Sequence, residues 1–296
     1  MTDPELRAVI SERRQLTKLA YRLLGSLAEA EDVVQETYAR WYGLTERQRQ
    51  AVRTPGAWLT TVAGRICLDL LGSARARREH YVGEWIPEPL PDGPEWFGGQ
   101  APADPADRVT LDESISMAFL VVLDSMTPAE RVAFVLHDVY RYSFTEIADV
   151  VGRTPAACRQ LASSARRRVD TSHRPSSATR AELVGKFKHA WETSDIGALI
   201  ELLDPDAIAT ADSGGLAPAF LDPIIGGPQI AHTWMQIAAR GTKVTLRERT
   251  VNGQPGLVAE LDGVTVSVYA FDIAQDRITR IWVMRNPEKL RPWAAE

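Results

Sequence analysis

Between Tyr81 and Arg108 the chain carries six prolines (Pro87, Pro89, Pro91, Pro94, Pro102 and Pro105) and four glycines (Gly83, Gly93, Gly98 and Gly99). Proline removes a backbone donor and clashes with the preceding turn, so neither a helix nor a central strand can run through such a stretch. Whatever folds before residue 81 and after residue 110 must therefore fold as separate segments. The stretch is predicted to be a linker. It is acidic: residues 81–114 hold eight Asp/Glu against the single basic Arg108. It also holds Tyr81, Trp85, Ile86, Trp96 and Phe97. A solvated linker rarely carries so many large apolar groups, so part of it is expected to dock on a folded surface.

On either side the periodicity is helical, and then it changes. A chain of 296 residues holds two domains, or three small ones, at ~150 residues each. Leu16, Leu19, Ala20, Leu23 and Leu24 repeat at helical spacing, a second helix runs to Trp41, and Thr54-Pro55 opens a third that carries Trp58, Leu59, Val62, Ile66 and Leu70. The segment between them is polar from Thr45 to Arg53, and a loop is expected at about Glu46 to Thr54. Further on, Thr127-Pro128-Ala129-Glu130 is a capping box with proline in the first turn. A helix ending at Gly152 is followed by Thr154-Pro155, a second capped start, which together make the helix-turn-helix pattern. Beyond residue 178 two helices and a third near 228–240 precede alternating runs at 243–247, 263–269 and 277–283, with Asp262-Gly263 as a hairpin turn. The fold class is thus multidomain: helices in 1–80, a linker over 81–110, a helix-turn-helix domain over 111–170, a short linker over 171–177 and an α+β domain with a mostly antiparallel sheet over 178–296.

The net charge of −5 hides segregated blocks. Residues 1–80 hold 13 Lys/Arg against 10 Asp/Glu, and residues 153–174 hold six Arg against one Asp. Segregated charge is a statement about partners. On the helix from Thr154, Cys158, Leu161, Ala162, Ala165 and Val169 share one face. Arg159, Gln160, Ser163, Arg166 and Arg167 share the other, near small Ala156, and offer the guanidinium, amide and hydroxyl groups that read base edges and hold phosphates. Near the N-terminus Glu29, Asp32, Gln35 and Glu36 line up on a second helix. An acidic stripe is either an ordinary solvated face or a dock for a basic protein surface. The two cysteines, Cys67 and Cys158, form no CxxC or Cys/His cluster. No metal or other cofactor is expected, and a reduced, cytoplasmic location is. No apolar run approaches the ~18 residues of a membrane span, and no secretory leader is expected from the polar, acidic start Met1 to Glu5.

These motifs together resemble the sigma factors of bacterial RNA polymerase, the extracytoplasmic-function type. Ala30 to Tyr38 is similar to the family's region 2.2, Ala57 to Glu79 to regions 2.3 and 2.4, and Thr127 to Val169 to region 4. The resemblance implies that Asp32, Gln35 and Glu36 bind core polymerase. It places a −10 element on Arg47, Arg49 and Arg53 of the segment before the Trp58 helix, and on Arg65, Arg75, Arg77 and Arg78. It places a −35 element on Thr154, Ala156, Arg159, Gln160, Ser163, Arg166 and Arg167. Tyr81 to Pro89 and Asn286 to Leu290 resemble signatures of the subgroup fused to a SnoaL-like domain, an NTF2-like cone. In that subgroup the appended domain contacts the linker and modulates activity in cis. Carried over, Trp85, Pro87, Asp212, Gly214, Gly215, Asn286, Pro287, Lys289 and Leu290 are regulatory contacts. Ser213 and Leu216 depart from the pattern, standing where the subgroup has glycine and lysine.

Two rival classes make different demands. SnoaL-like cones also occur as enzymes, for which Trp191, Asp212, His232, Tyr269 and Trp282 are the residues to place. No His–Asp pair stands at a defensible spacing, so no catalytic residue is assigned and the chain is not expected to be an enzyme. A small-molecule ligand in the C-terminal domain is the stronger expectation, beside core polymerase and promoter DNA as partners. A conventional helix-turn-helix regulator would explain residues 127–169 but neither the acidic stripe nor the Trp58 helix.

Overall fold

The computed structural model describes residues 3–78, 81–93, 115–169, 175–239 and 244–294, with the side chains of 3–11 and 74–78 excepted. Trp96 and Phe97, and the side chains of Arg75, Arg77 and Arg78, lie outside the described residues. The chain divides into two compact units. The first takes in residues 1–79, 100–114 and 120–170, and the second takes in 80–99, 115–119 and 171–296.

The first unit is all helix. Its elements are α1 (Asp3–Leu24), α2 (Leu27–Gly43), α3 (Glu46–Ala51), α4 (Pro55–Arg78), α5 (Met117–Asp124, begun in the second unit), α6 (Pro128–Phe134), α7 (Phe144–Val151) and α8 (Pro155–Arg166). Leu16, Leu19, Leu23 and Leu24 of α1, Val33 and Val34 of α2, and Leu59, Ala63 and Ile66 of α4 are all buried, as their spacing requires. One sequence expectation is corrected here: the stretch from Thr45 to Arg53 is a helix, α3, over most of its length. Thr45 accepts from the Gln48 N–H while the Gln48 side chain reaches back to the Thr45 N–H, a closed capping box. Glu46 adds bonds to Arg49 at 3.0 Å and Gln50 at 3.0 Å. No residue of α3 is buried, so it gave no apolar period to read.

Ser143 and Glu146 close a second box at the start of α7, and Gly152 (φ 69°) ends it in the left-handed region, which glycine enters without penalty. Thr154 then caps α8 with Pro155 in its first turn. The two helical segments of this unit pack on each other. Arg131, buried, donates to the Leu23 carbonyl at 2.9 Å and pairs with Asp124 at 2.8 Å. Arg22, also buried, donates to the Tyr140 hydroxyl at 2.9 Å. Tyr142 donates to Thr60 at 3.0 Å. Gly64 of α4 lies so close to α7 that a Cβ there would stand 2.8 Å from Val150 Cγ1.

The second unit is α+β. Helices α9 (Ser177–Glu192), α10 (Ile196–Leu202) and α11 (Gly227–Ala239) pack against a six-stranded sheet of order β2-β1-β6-β5-β4-β3. The strands are β1 (Leu203–Asp212), β2 (Ile224–Ile225), β3 (Thr245–Val251), β4 (Gln254–Leu261), β5 (Val264–Ala274) and β6 (Arg277–Met284). Every pairing is antiparallel except β1 with β6. Asp262 and Gly263 make the expected β4–β5 turn, both at positive φ. On one face Phe187, Trp191, Trp234, Tyr269 and Phe271 meet mostly edge to face, with centroids 5.3–6.3 Å apart. On alternate positions Val268, Ala270, Trp282 and Met284 are buried as well. A sheet with apolar side chains buried on both faces needs cover on both.

Candidate functional site

The polar face expected on the helix from Thr154 is exposed in α8. Cys158, Ala162 and Ala165 are buried, while Thr154, Ala156, Arg159, Gln160, Ser163, Arg166 and Arg167 are all exposed. Arg159 lies over the Phe144 ring at 5.2 Å, which stiffens a long side chain on the outer face. Arg166 is engaged within the unit, paired with Asp138 at 2.6 Å. The acidic stripe is likewise exposed: Asp32, Gln35 and Glu36 face out while Ala30, Val33, Val34 and Thr37 face in. Glu36 shares an ion pair with Arg40 at 2.8 Å, and both members are about half exposed.

Of the arginines proposed for the −10 element, Arg47 and Arg53 are exposed around α3, and Arg49 is held by Glu46 and by the Tyr42 carbonyl. Tyr42, which sequence reasoning passed over, is 62% exposed beside them and stacks on Tyr38. Arg65 is committed elsewhere. Its Nε and Nη2 both donate to the Asp149 carbonyl of α7, at 3.1 and 2.7 Å.

In the second unit the expected regulatory residues converge on one buried carboxylate. Asp212, at the end of β1, is fully buried. Its Oδ1 accepts from the Tyr81 hydroxyl at 2.6 Å and the Gly214 N–H at 3.1 Å. Its Oδ2 accepts from the Ile86 N–H at 2.9 Å and Lys289 Nζ at 2.7 Å. All four acceptor positions of the carboxylate are thus filled. Lys289 also donates to the Ile86 carbonyl at 2.6 Å and sits 4.2 Å from the Trp85 ring centroid. Asn286, held through its N–H by the Asp212 carbonyl, donates from Nδ2 to Tyr81 at 2.9 Å. Gly214 (φ 57°) has no room for a side chain: a Cβ would stand 2.5 Å from Asn286 Nδ2. Gly215 (φ 74°) lies against Val82. Pro87 and Leu290 are buried, and Pro287 is exposed. The cation that answers Asp212 therefore comes from the C-terminal signature, and Leu216 stands 60% exposed.

Two further clasps hold residues 89–91. Asn252 exchanges backbone and side-chain bonds with Leu90, at 2.9 and 3.0 Å, and donates to the Ile115 carbonyl at 2.9 Å. Trp293 Nε1 donates to the Pro89 carbonyl at 2.8 Å. Asn252 is fully buried at φ 51° and turns β3 into β4 with Gly253. Asn-Gly is the strongest two-residue hairpin signal, so the turn was legible, although its grip on the linker was not. The expected docking of the linker's apolar groups is realised in Ile86 and Leu90, both buried.

The enclosed face of the sheet keeps a cavity of about 510 Å³. Trp191 and Tyr269 line it, as expected of a cone pocket. Asp212 is spent on the linker. His232 is exposed on α11, with Nδ1 at 2.7 Å from the Pro228 carbonyl. Trp282 alternates with the core residues Ile281 and Val283 and does not line the cavity.

Comparison with known proteins agrees with this geometry. The model of Sigma-70 region 2 matches residues 9–77, and that of Sigma-70 region 4 matches residues 116–169. The chain is 36% identical over 292 residues to the ECF RNA polymerase sigma factor SigJ of Mycobacterium tuberculosis, covering 94% of this chain and 90% of that one. It is 34% identical over 301 residues to the probable ECF RNA polymerase sigma factor SigI of the same species, covering 99% and 97%. The crystal structure of SigJ superposes with a TM-score of 0.75 at 32% identity, over 97% of this chain and 98% of that one.

Two measurements test the linker clasp. Removing one member of a buried ion pair leaves a charge without a partner, at about 3–5 kcal/mol. Asp212→Ala is expected to lower the melting temperature of the full chain and expose the segment at 81–93 to protease. The double variant Asp212→Leu with Lys289→Met should recover much of the loss; a double variant no better than Asp212→Ala would contradict the pairing. Burial, and then the hydrogen bond to Asp212, push the Tyr81 phenol well above its ordinary value of 10.0. A raised folded value means that its contribution is intact below pH 10 and is lost as pH rises further. In a tyrosine ¹³Cζ titration the resonance that Tyr81→Phe removes should ionise above the ordinary tyrosine range.

Proposed function

The chain belongs to the extracytoplasmic-function RNA polymerase sigma factors, and on that premise we propose how its parts divide the work. Asp32, Gln35 and Glu36 on the outer face of α2 dock on a basic surface of core polymerase. The Thr154–Arg167 face of α8 enters the major groove of a −35 element. There the guanidinium of Arg159 and the amide of Gln160 read bases, while Arg167 neutralises phosphate, joined by Arg166 once it leaves Asp138. The arginines around α3, with Tyr42 beside them, suit an unpaired −10 strand, since aromatic and guanidinium planes stack on any base. The protein works in the cytoplasm. Among the described residues no helix is long and apolar enough to cross a membrane. It acts by binding rather than by catalysis.

The observation that carries the regulatory part is the state of Arg65. Two of its five N–H donors go to the Asp149 carbonyl, which ties this arginine to α7 and turns its guanidinium away from DNA while the two helices are packed. We read the packed first unit as a resting state from which the region 2 and region 4 segments separate on polymerase. The second unit modulates that step by fixing the linker at Asp212, Lys289 and Asn252. A linker fixed over residues 81–91 has less reach, and two DNA readers gain by acting together only when their span fits the spacing of their sites.

The test is binding to purified core polymerase. Asp32→Ala with Glu36→Ala is expected to weaken it by at least about tenfold, as loss of a hydrogen-bonded charged contact does. Tyr142→Phe removes a bond between the two segments worth ~1 kcal/mol and should raise apparent affinity by up to about fivefold, because more of the free protein is then competent. Undiminished binding by the double variant would overturn the docking face, and unchanged binding by Tyr142→Phe would overturn the resting state.

A further inference from the structure

The cavity of the second unit is built to hold something, and its lining says what. Its volume of about 510 Å³ falls in the usual range of small-molecule sites. Most of the wall is apolar or aromatic, with Trp191, Phe220, Trp234 and Ile237 among its members. Its polar members are few: Thr233 on α11, Ser267 and Tyr269 on β5, the latter two buried, and Arg285 just past the end of β6. Among the described residues no carboxylate, histidine or cysteine lines the cavity.

Arg285 is the unusual member. A half-buried guanidinium beside apolar walls is normally matched by a carboxylate. This one has no ion-pair partner among the described residues. Its Nη1 donates to the Pro218 carbonyl, and its Nε is buried with no partner. A buried donor without an acceptor is costly. The site thus offers an apolar slot for a body and, among the few polar groups of its wall, a cation with no ion-pair partner among the described residues.

We propose that this cavity binds a mainly apolar, aromatic-sized small molecule that carries one anionic head, a carboxylate or sulfonate, on Arg285. The site also touches the linker clasp. The backbone N–H groups of Arg285 and Asn286 both donate to the Asp212 carbonyl, at 2.7 and 3.0 Å. A ligand that pulls on Arg285 therefore bears on the residue that holds Tyr81, Ile86 and Lys289. That consequence rests on the cis-modulation reading, whereas the binding does not. Binding is measured on the free full-length protein, so either can fail without the other.

The experiment compares two fluorescent probes with one body. 1-Anilinonaphthalene-8-sulfonate carries the anionic head, and N-phenyl-1-naphthylamine lacks it. The sulfonate is expected to bind at one site, about tenfold more tightly than the neutral probe, as a charge-assisted contact permits. Arg285→Met should erase that preference while leaving the neutral probe bound. Ala238→Trp, which fills the slot from α11, should weaken both. Equal affinity of the two probes, sulfonate binding untouched by Arg285→Met, or no saturable sulfonate binding would each overturn the proposal. If Ala238→Trp fails to fold, the Arg285→Met comparison decides alone.

Discussion

The buried Asp212–Lys289 pair is the interaction on which the organisation of the second unit turns. A carboxylate and an ammonium taken out of water cost more than their attraction returns unless every remaining lone pair and proton is satisfied. Here that condition is met by the linker. The Ile86 N–H and the Tyr81 hydroxyl, with the Gly214 N–H, donate to the carboxylate, and the Ile86 carbonyl accepts a hydrogen bond from the ammonium. The pair is tolerable only while residues 81–86 are in place, and those residues are ordered because the pair is there. An acidic, proline-rich segment that could have been a free tether becomes part of a folded domain, with a buried interaction that favours one arrangement over many.

The same logic explains how a proline-rich chain is held without regular structure. Prolines at 87, 89 and 91 cannot donate, so the remaining donors and every useful carbonyl must find partners from outside. Ile86 and Leu90 supply the donors, and Ile86, Pro89 and Leu90 supply the carbonyls. The partners are side chains and turn backbone: Asp212 and Lys289, the indole of Trp293, and Asn252 in its tight turn. Only Pro91 makes a strand-like bridge, to Val251. The linker is thus fixed mainly by side chains at three points, Asp212 with Lys289, Asn252 and Trp293, rather than by a sheet ladder.

Much of this was legible in the sequence, and what was not has physical reasons. The capped helix-turn-helix and its exposed face followed from Thr154, Pro155 and the spacing of Cys158, Ala162 and Ala165. The docking of the linker followed from large apolar residues in a polar tract. Four elements were missed, the two-residue β2 (Ile224–Ile225) among them. The α3 helix has no buried residue, so only its Thr45–Gln48 capping box marked it. Strand β1 opens on Asp204-Pro205-Asp206, which reads as a turn, and its inward residues are the small Ala207, Ala209 and Ala211. Strand β4 opens on Pro-Gly and is buried on both faces from Gly256 to Ala259, which erases alternation. At the site, resemblance singled out Asp212, Asn286 and Lys289, but their partnership spans 77 residues between Asp212 and Lys289 and no local pattern encodes it.

Whether the linker is truly part of the folded second unit can be read most directly from native-state hydrogen exchange at the amides of Ile86 and Leu90. Both donate to buried side chains, so both should exchange orders of magnitude more slowly than an unstructured proline-rich peptide. They should lose protection together in Asp212→Asn while the amides of β5 and β6 keep theirs. Exchange of Ile86 and Leu90 at free-peptide rates in the unaltered protein would contradict the clasp, and with it the account of how the appended domain acts on the rest of the chain.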